Sequence, residues 1–194
     1  MLCRIAELLT EVPATGGMPS RCREYLESVE SIPEIFIRED RYRSENWPGQ
    51  DANLVSYMES GAQFHWALLW FNGLVLHASA VALEGRAYLF SGPCGRGKST
   101  HTRLWQSAFG ERAQVFNDDK PALRRLDGCW YAYGTPWCGK DGINLNQKWP
   151  LGGICFLEKA QENRIRRLPA AEALPLILAQ TTHRLSPQYM ELLL

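Results

Sequence analysis

The hydrophobic positions of this chain fall in short blocks divided by turn residues, and their spacing predicts more strands than helices. Residues 1–50 hold turn clusters at 13–17 and at Trp47-Pro48-Gly49 around one short alternating piece, Ile35-Phe36-Ile37, which predicts peripheral strands. Asp51 is placed to cap a helix with apolar positions at Leu54, Tyr57, Met58, Phe64 and Leu68, weakened in its middle by Gly61. Residues 73–83 read as one buried strand, Glu84-Gly85 as a two-residue turn, and Arg86-Ala87-Tyr88-Leu89-Phe90 as the next strand. A link that short joins antiparallel neighbours, because a parallel pair needs a crossover of about a dozen residues or more. A helix over 100–109 closed by Gly110 follows, then a strand over 113–116 and a hairpin of 122–126 with 129–133 turned at Asp127-Gly128. Strands over 151–157 and 165–168 and a helix over 169–180 complete the order. Pro169 suits the first turn of that helix, and Pro175 is expected to kink it or push its start later.

An antiparallel hairpin ahead of a strand, helix, strand unit predicts an α/β fold of the mixed-sheet, α+β kind. The 194 residues suit a single domain with a substantial core: residues 1–50 as peripheral strands and loops, 51–183 as the main body. Residues 64–83 are the one apolar run long enough to raise a membrane question. His65, Asn72, Gly73, His77 and Ser79 interrupt it, so the expected structure is a buried helix end followed by a buried strand. Basic and acidic residues balance at 21 each, which leaves no global attraction to nucleic acid or to an anionic membrane. Cys3, Cys22, Cys94, Cys129, Cys138 and Cys155 lack CxxC spacing, and the N-terminus has no signal-like apolar core, so a reduced, cytoplasmic setting is expected.

Against this ordinary background one segment stands out. Gly92-Pro93-Cys94-Gly95-Arg96-Gly97-Lys98-Ser99 fits GxxxxGK[ST] at every fixed position, between a strand and a helix, with Thr100 continuing into the helix. Glycines at 92, 95 and 97 permit positive φ, so successive N–H groups can turn inward around an anion. The helix that starts near Gly97 adds unpaired N–H groups and the positive end of its dipole. Lys98 brings a full charge for outer phosphates, and the Ser99 hydroxyl is placed to ligate Mg²⁺. The segment therefore reads as a phosphate cradle for a nucleotide such as ATP.

The next strand ends on Asn117-Asp118-Asp119-Lys120, and its crossover returns both aspartates to the end of the sheet that carries Ser99. One carboxylate can hold Mg²⁺ while the other orients an attacking group or takes its proton. His77, among Leu74, Leu76 and Ala78 on the strand antiparallel to the cradle's own, is a core residue or a group near the site. In the 134–140 loop, Trp137 either stacks on a base or substrate or serves packing, and Lys140 is placed to reach a phosphate. Cys94 reads as a small side chain where only backbone matters, in preference to a redox thiol. Lys120 and the cluster Arg164, Arg166 and Arg167 read as solvated, whereas Arg96 is a possible charge partner beside the phosphates.

Taken together, Leu76-His77-Ala78-Ser79, residues 92–100, Asn117-Asp118-Asp119 and Gly134-Thr135-Pro136-Trp137 resemble the catalytic domain of HPr kinase/phosphorylase and its relatives in the phosphoenolpyruvate carboxykinase-like superfamily. The resemblance spans roughly residues 73–160 and is nearest to small HPr-kinase-like proteins. It implies a single kinase-like domain with a P-loop on a mixed sheet, ATP and Mg²⁺, and transfer of the γ-phosphoryl group to a hydroxyl. By it, residues 92–100 bind the nucleotide, Ser99, Asp118 and Asp119 serve the metal, and Lys98, Asp118, Asp119 and His77 serve catalysis. Thr100 stands where HPr kinase carries an acidic residue, and no stretch after Lys140 reproduces the segment that docks HPr, so neither phosphorylase activity nor that target is carried over. The expected activity is a serine or hydroxyl kinase acting on a protein, a peptide or a small serine-like metabolite. The alternative is an accessory protein that holds nucleotide without transferring phosphate, and an ATPase coupled to movement is a weaker third. Related small proteins continue past Leu192-Leu193-Leu194, which leads to the expectation of an apolar face left for a partner or a second copy.

Overall fold

The computed structural model describes residues 1–181 and 191–192, so residues 193 and 194, on which the expectation of an open C-terminal face falls, lie outside it. In chain order its regular elements are β1 (Leu2–Ile5), β2 (Leu8–Glu11), α1 (Met18–Arg21), β3 (Ile35–Phe36), α2 (Ala52–Leu69), β4 (Gly73–Val75), β5 (Ala78–Leu83), β6 (Arg86–Ser91), α3 (Lys98–Phe109), β7 (Ala113–Asn117), β8 (Ala122–Leu126), β9 (Cys129–Tyr133), β10 (Lys148–Phe156) and α4 (Ala170–Gln180). Seven strands form one mixed sheet in the order β4-β8-β9-β10-β6-β5-β7, and β1-β2-β3 form a second, small sheet.

Local chemistry sets the hairpins. Glu84 and Gly85 both take positive φ, 51° and 76°, which matches the twist of the two strands they join, and β5 and β6 pair antiparallel from Leu83↔Arg86 to Ala78↔Ser91. Asp127 and Gly128 turn β8 into β9 in the same way. β10 then lies parallel to β6 and antiparallel to β9, which makes the sheet mixed. β7 is antiparallel to β5 and so runs parallel to β6, one strand away. The β6–α3–β7 crossover thereby steps over β5 and delivers the C-terminal ends of β6 and β7 to one edge of the sheet.

Strand alternation divides the core. Ala78, Ala80 and Ala82 of β5, with Ala87 and Leu89 of β6 and Phe116 of β7, are buried in one cluster. The intervening Val81, Phe90 and Val115 meet α3 on the opposite face, where Trp105 lies 5.1 Å from the Tyr88 ring and 5.2 Å from Phe90. A 2.7 Å hydrogen bond between the hydroxyls of Ser79 and Thr102 fixes the helix there.

Four expectations are corrected. Residues 73–83 form two strands, because the chain leaves β8 after Val75 and joins β6 and β7 from Ala78. At the break, Leu76 N–H donates to the Pro121 carbonyl and His77 N–H to the Gln180 carbonyl. Both halves are buried, so the pattern of apolar residues carries no trace of the change of partner. Residues 1–50 are not peripheral either. Cys3, Ile5, Leu8, Val12, Met18, Cys22 and Tyr25 share one core with Phe64, Leu68, Val75 and Trp137, and the Arg124 guanidinium donates to the Ala6 carbonyl at 2.6 Å. Residues 165–168 form no strand, and Ile165 is 90% exposed. The later start expected from Pro175 does not occur, since α4 begins at Ala170 after Pro169 with Pro175 inside it. Among the described residues no helix is long and apolar enough to cross a membrane.

Candidate functional site

The loop between β6 and α3 is built from backbone. Gly92, Gly95 and Gly97 take φ of 147°, 76° and 92°, conformations that L residues resist, and Gly97 is the residue that precedes α3. No side chain caps α3 and no acidic residue lies in its first turn, so the N–H groups at this end are left to a ligand or solvent. Pro93, Cys94, Gly95 and Arg96 are exposed at the tip. Lys98 arches back over the loop and donates to the carbonyls of Gly92 at 3.0 Å and Pro93 at 3.3 Å. Burial, and the nearby charge of Lys120, lower its pKa against the opposing pull of Asp119 and Asp118. These carbonyls are weak competitors for an ammonium, and a phosphate offers it charge-assisted bonds instead.

At the end of β7 the fully buried Asn117 organises the acidic turn. Its side-chain oxygen accepts from the N–H groups of Asp119 and Lys120 at 3.2 and 2.9 Å, and its amide donates to the Thr135 carbonyl at 2.9 Å. The Thr135 hydroxyl closes the turn by donating to the Lys120 carbonyl at 2.7 Å. The turn presents two carboxylates with opposite surroundings. Asp119 Oδ2 accepts from the Tyr57 hydroxyl at 2.8 Å, and its Oδ1 lies 3.0 Å from Lys120 Nζ and 3.5 Å from His77 Nε2. Asp118 Oδ1 is buried and has no hydrogen-bond partner among the described residues. A buried carboxylate oxygen without a donor is costly, and a bound cation is one group that would relieve that cost. Ser99, half-buried at the head of α3, is the other oxygen donor that the sequence marks for this role. No cluster of three or more His, Cys, Asp or Glu ligands occurs among the described residues. That donor set suits Mg²⁺, which is commonly bound by one or two carboxylates with substrate phosphates and waters, and it does not suit a caged transition metal.

His77 lies at the break between β4 and β5, beside the acidic turn. Burial first, then the charges of Lys120 and Lys98, push its pKa down from 6.5 to about 4, against Asp119 and a hydrogen bond with Gln180. It is therefore neutral at pH 7, and its 3.5 Å approach to Asp119 is no ion pair there. Unfolding raises its proton affinity, so the unfolded chain takes up a proton first on acidification and stability falls from pH 6.5 down to about pH 4, then levels off. Denaturant unfolding at pH 7 and 4.5 is expected to show this component, on the order of 2–3 kcal/mol, in the wild type and not in His77→Gln. Parallel pH profiles for the two chains would remove it.

The 134–140 loop packs against α2 and the acidic turn. Trp137 is 2% exposed, stacked on Phe64 with ring centroids 4.8 Å apart, and its indole N–H donates to Ser60 Oγ. Gly139 N–H donates to the Tyr57 hydroxyl, and a Cβ on Gly139 would stand 3.2 Å from both the Asp118 carbonyl and Asp119 Cβ. Lys140 is exposed. Two residues were missed in the sequence: Lys120, read as solvated, and Tyr57, read as a helix core position. Tyr57 keeps its proton because burial and Asp119 raise its pKa, so it remains a donor. The Asn-Asp-Asp run carried a signal for the organising turn, since Asn readily bonds backbone two residues on. The assembled groups can bind an oligophosphate on backbone N–H groups and Lys98, hold a divalent cation at Asp118, and keep an oriented carboxylate at Asp119.

No protein-family model matches the chain, and no curated protein matches it. Among solved structures it is similar to the HPr(Ser) kinase/phosphatase from Coxiella burnetii, with a TM-score of 0.35 and 15% identity over 49% of this chain and 66%, just under two thirds, of that chain.

Proposed function

We propose that this chain is a phosphotransferase that binds ATP on residues 92–100 and passes its γ-phosphoryl group to a hydroxyl, that of a serine in a protein or peptide or of a small serine-like metabolite. The observation that carries the reading is the contrast between Asp118, with a buried oxygen that finds no donor among the described residues, and Asp119, engaged on both oxygens one residue away. A site that only held nucleotide would need one metal-holding carboxylate and would gain nothing from a second that is separately positioned.

In this reading the loop N–H groups and Lys98 hold the phosphates, Lys98 leaving the carbonyls of Gly92 and Pro93 to do so. Ser99 and Asp118 would hold Mg²⁺, which when bound neutralises charge on the transferring group. Asp119 accepts the hydrogen of the attacking hydroxyl and aims its oxygen at phosphorus. Tyr57 and Lys120 fix that carboxylate from two sides. The hydroxyl oxygen forms its bond to phosphorus as the bond from phosphorus to ADP breaks, and the proton passes to Asp119. Positioning outweighs basicity, because a loose phosphoryl-transfer transition state asks for little early proton removal. The resemblance of the motif set to HPr kinase supports the same assignment of roles.

The test is incubation of the purified chain with γ-labelled ATP, Mg²⁺ and a mixture of serine-containing peptides and free serine. Phosphoserine in the acceptor, absent without Mg²⁺, is the expected result. Tight Mg²⁺-dependent ATP binding without transfer to any acceptor would favour the accessory role instead.

A further inference from the structure

Beside Asp119 lies a cavity of about 100 Å³ that the phosphate chemistry does not use. Trp47, Met58, Ala62, Val75 and Trp137 line it, together with Tyr57 and Lys120. The two indoles are held in place by consecutive residues of α2: Trp47 donates to Glu59 at 2.8 Å and Trp137 to Ser60 at 3.0 Å. The absence of a side chain at Gly61 lets Trp137 lie flush against the helix, for a Cβ there would stand 3.0 Å from its Cδ1. The walls are thus rigid, apolar and built around empty space. Trp47, Met58, Ala62 and Lys120 are each only partly buried, so the space opens to the surface and an apolar group can enter it and displace water from an apolar wall.

Its position identifies its occupant. Tyr57 and Lys120 both line the cavity, and their polar ends hold the two oxygens of Asp119. A group seated in the cavity therefore stands one side chain away from the carboxylate that, in the proposed reading, receives the hydroxyl. The base of ATP leaves from the other end of the triphosphate, away from the transferring group. Resting on that reading, we infer that the cavity seats an apolar side chain of the acceptor, so that the substrate class is a serine flanked by a branched aliphatic residue. The size fits, since a cavity of about 150 Å³ lined by apolar groups is filled by a benzene ring and this one takes a somewhat smaller group.

Two measurements test this. In the first, the tryptophan indole N–H signals are followed by NMR while the chain is titrated with 3-methylbutanol, glycerol or adenosine. Saturable shifts of the Trp47 and Trp137 signals with 3-methylbutanol only, lost in Ala62→Leu, are expected. No saturable shift with 3-methylbutanol, or saturation by adenosine in its place, would overturn the assignment. In the second, phosphorylation of Gly-Gly-Ser-Gly-Gly is compared with that of peptides carrying Leu or Phe on either side of the serine. A preference of about tenfold or more in kcat/KM for one Leu peptide is expected, the worth of burying about two methylene groups. Ala62→Leu, which keeps a good helix former in α2, should abolish the preference with unchanged Mg·ATP affinity. Should Ala62→Leu fail to fold, Met58→Ala, which widens the cavity, is expected to move the preference from Leu toward Phe. Equal use of all peptides overturns the cavity assignment and leaves the kinase reading intact. Saturable binding of 3-methylbutanol with no transfer to any peptide sinks the kinase reading and leaves the apolar site standing.

Discussion

Lys98→Ala is expected to weaken Mg·ATP binding by at least about a hundredfold in calorimetric titration while leaving the thermal midpoint within a few degrees of the wild type. The two halves of that result have separate causes. Among the described residues Lys98 bonds only to the Gly92 and Pro93 carbonyls and is half-buried at some electrostatic cost, as its lowered pKa records. Its removal frees two carbonyls that water can reach from the open loop, so the fold loses little. With ATP bound, the same ammonium makes charge-assisted bonds to phosphate, each on the order of 1.5–3 kcal/mol, in a cradle where other contacts come from neutral N–H groups. Two such bonds account for a hundredfold loss or more. Lys98→Arg should not restore binding, because a planar fork does not replace a compact ammonium folded tightly over its own loop. Unchanged affinity in Lys98→Ala would end the assignment of residues 92–100 as a phosphate site.

What was readable in the sequence was what local chemistry decides. Asp51 caps α2 through its 2.9 Å bond from Leu54 N–H, and the Glu84-Gly85 and Asp127-Gly128 turns fix two hairpins, each from residues adjacent in the chain. The turn between β6 and α3 belongs to the same class, because its backbone takes conformations that its three glycines permit. Beyond that, packing decided. The strand break at His77 depends on which neighbours β4 and β5 find, and an apolar run reads the same whichever strand it pairs with. Trp137 reads equally well as a stacking or a packing residue until Phe64 and Ser60 of α2 are brought against it. Lys120 and Tyr57 are 63 positions apart in the chain and meet only at Asp119, a contact that no spacing rule encodes. The first fifty residues carry no motif, yet Arg21 lies over the Tyr57 ring at 4.7 Å and donates to the Gly139 carbonyl, so that segment braces the acidic turn from outside.

The two carboxylates, indistinguishable by sequence, should separate when each is changed alone. Asp118→Asn removes a carboxylate oxygen that has no donor among the described residues, so the variant should be as stable as the wild type or somewhat more stable. Its loss should appear when the nucleotide binds: the part of ATP affinity that depends on Mg²⁺ should fall by about tenfold or more, and affinity measured in excess chelator should not change. Asp119→Asn has the reverse signature. It leaves the half-buried Lys120 ammonium without its counter-ion and weakens the bond from Tyr57, which should lower stability by about 1–3 kcal/mol in denaturant unfolding. Mg·ATP affinity should survive, and single-turnover transfer should slow by about 10²–10⁴, the range for a lost acid–base or orienting group. Only a division of labour in which Asp118 holds metal and Asp119 directs the acceptor gives this crossed pattern. Identical losses in both variants would mean that the pair acts as one metal site, and full turnover in the double variant would remove both residues from the chemistry.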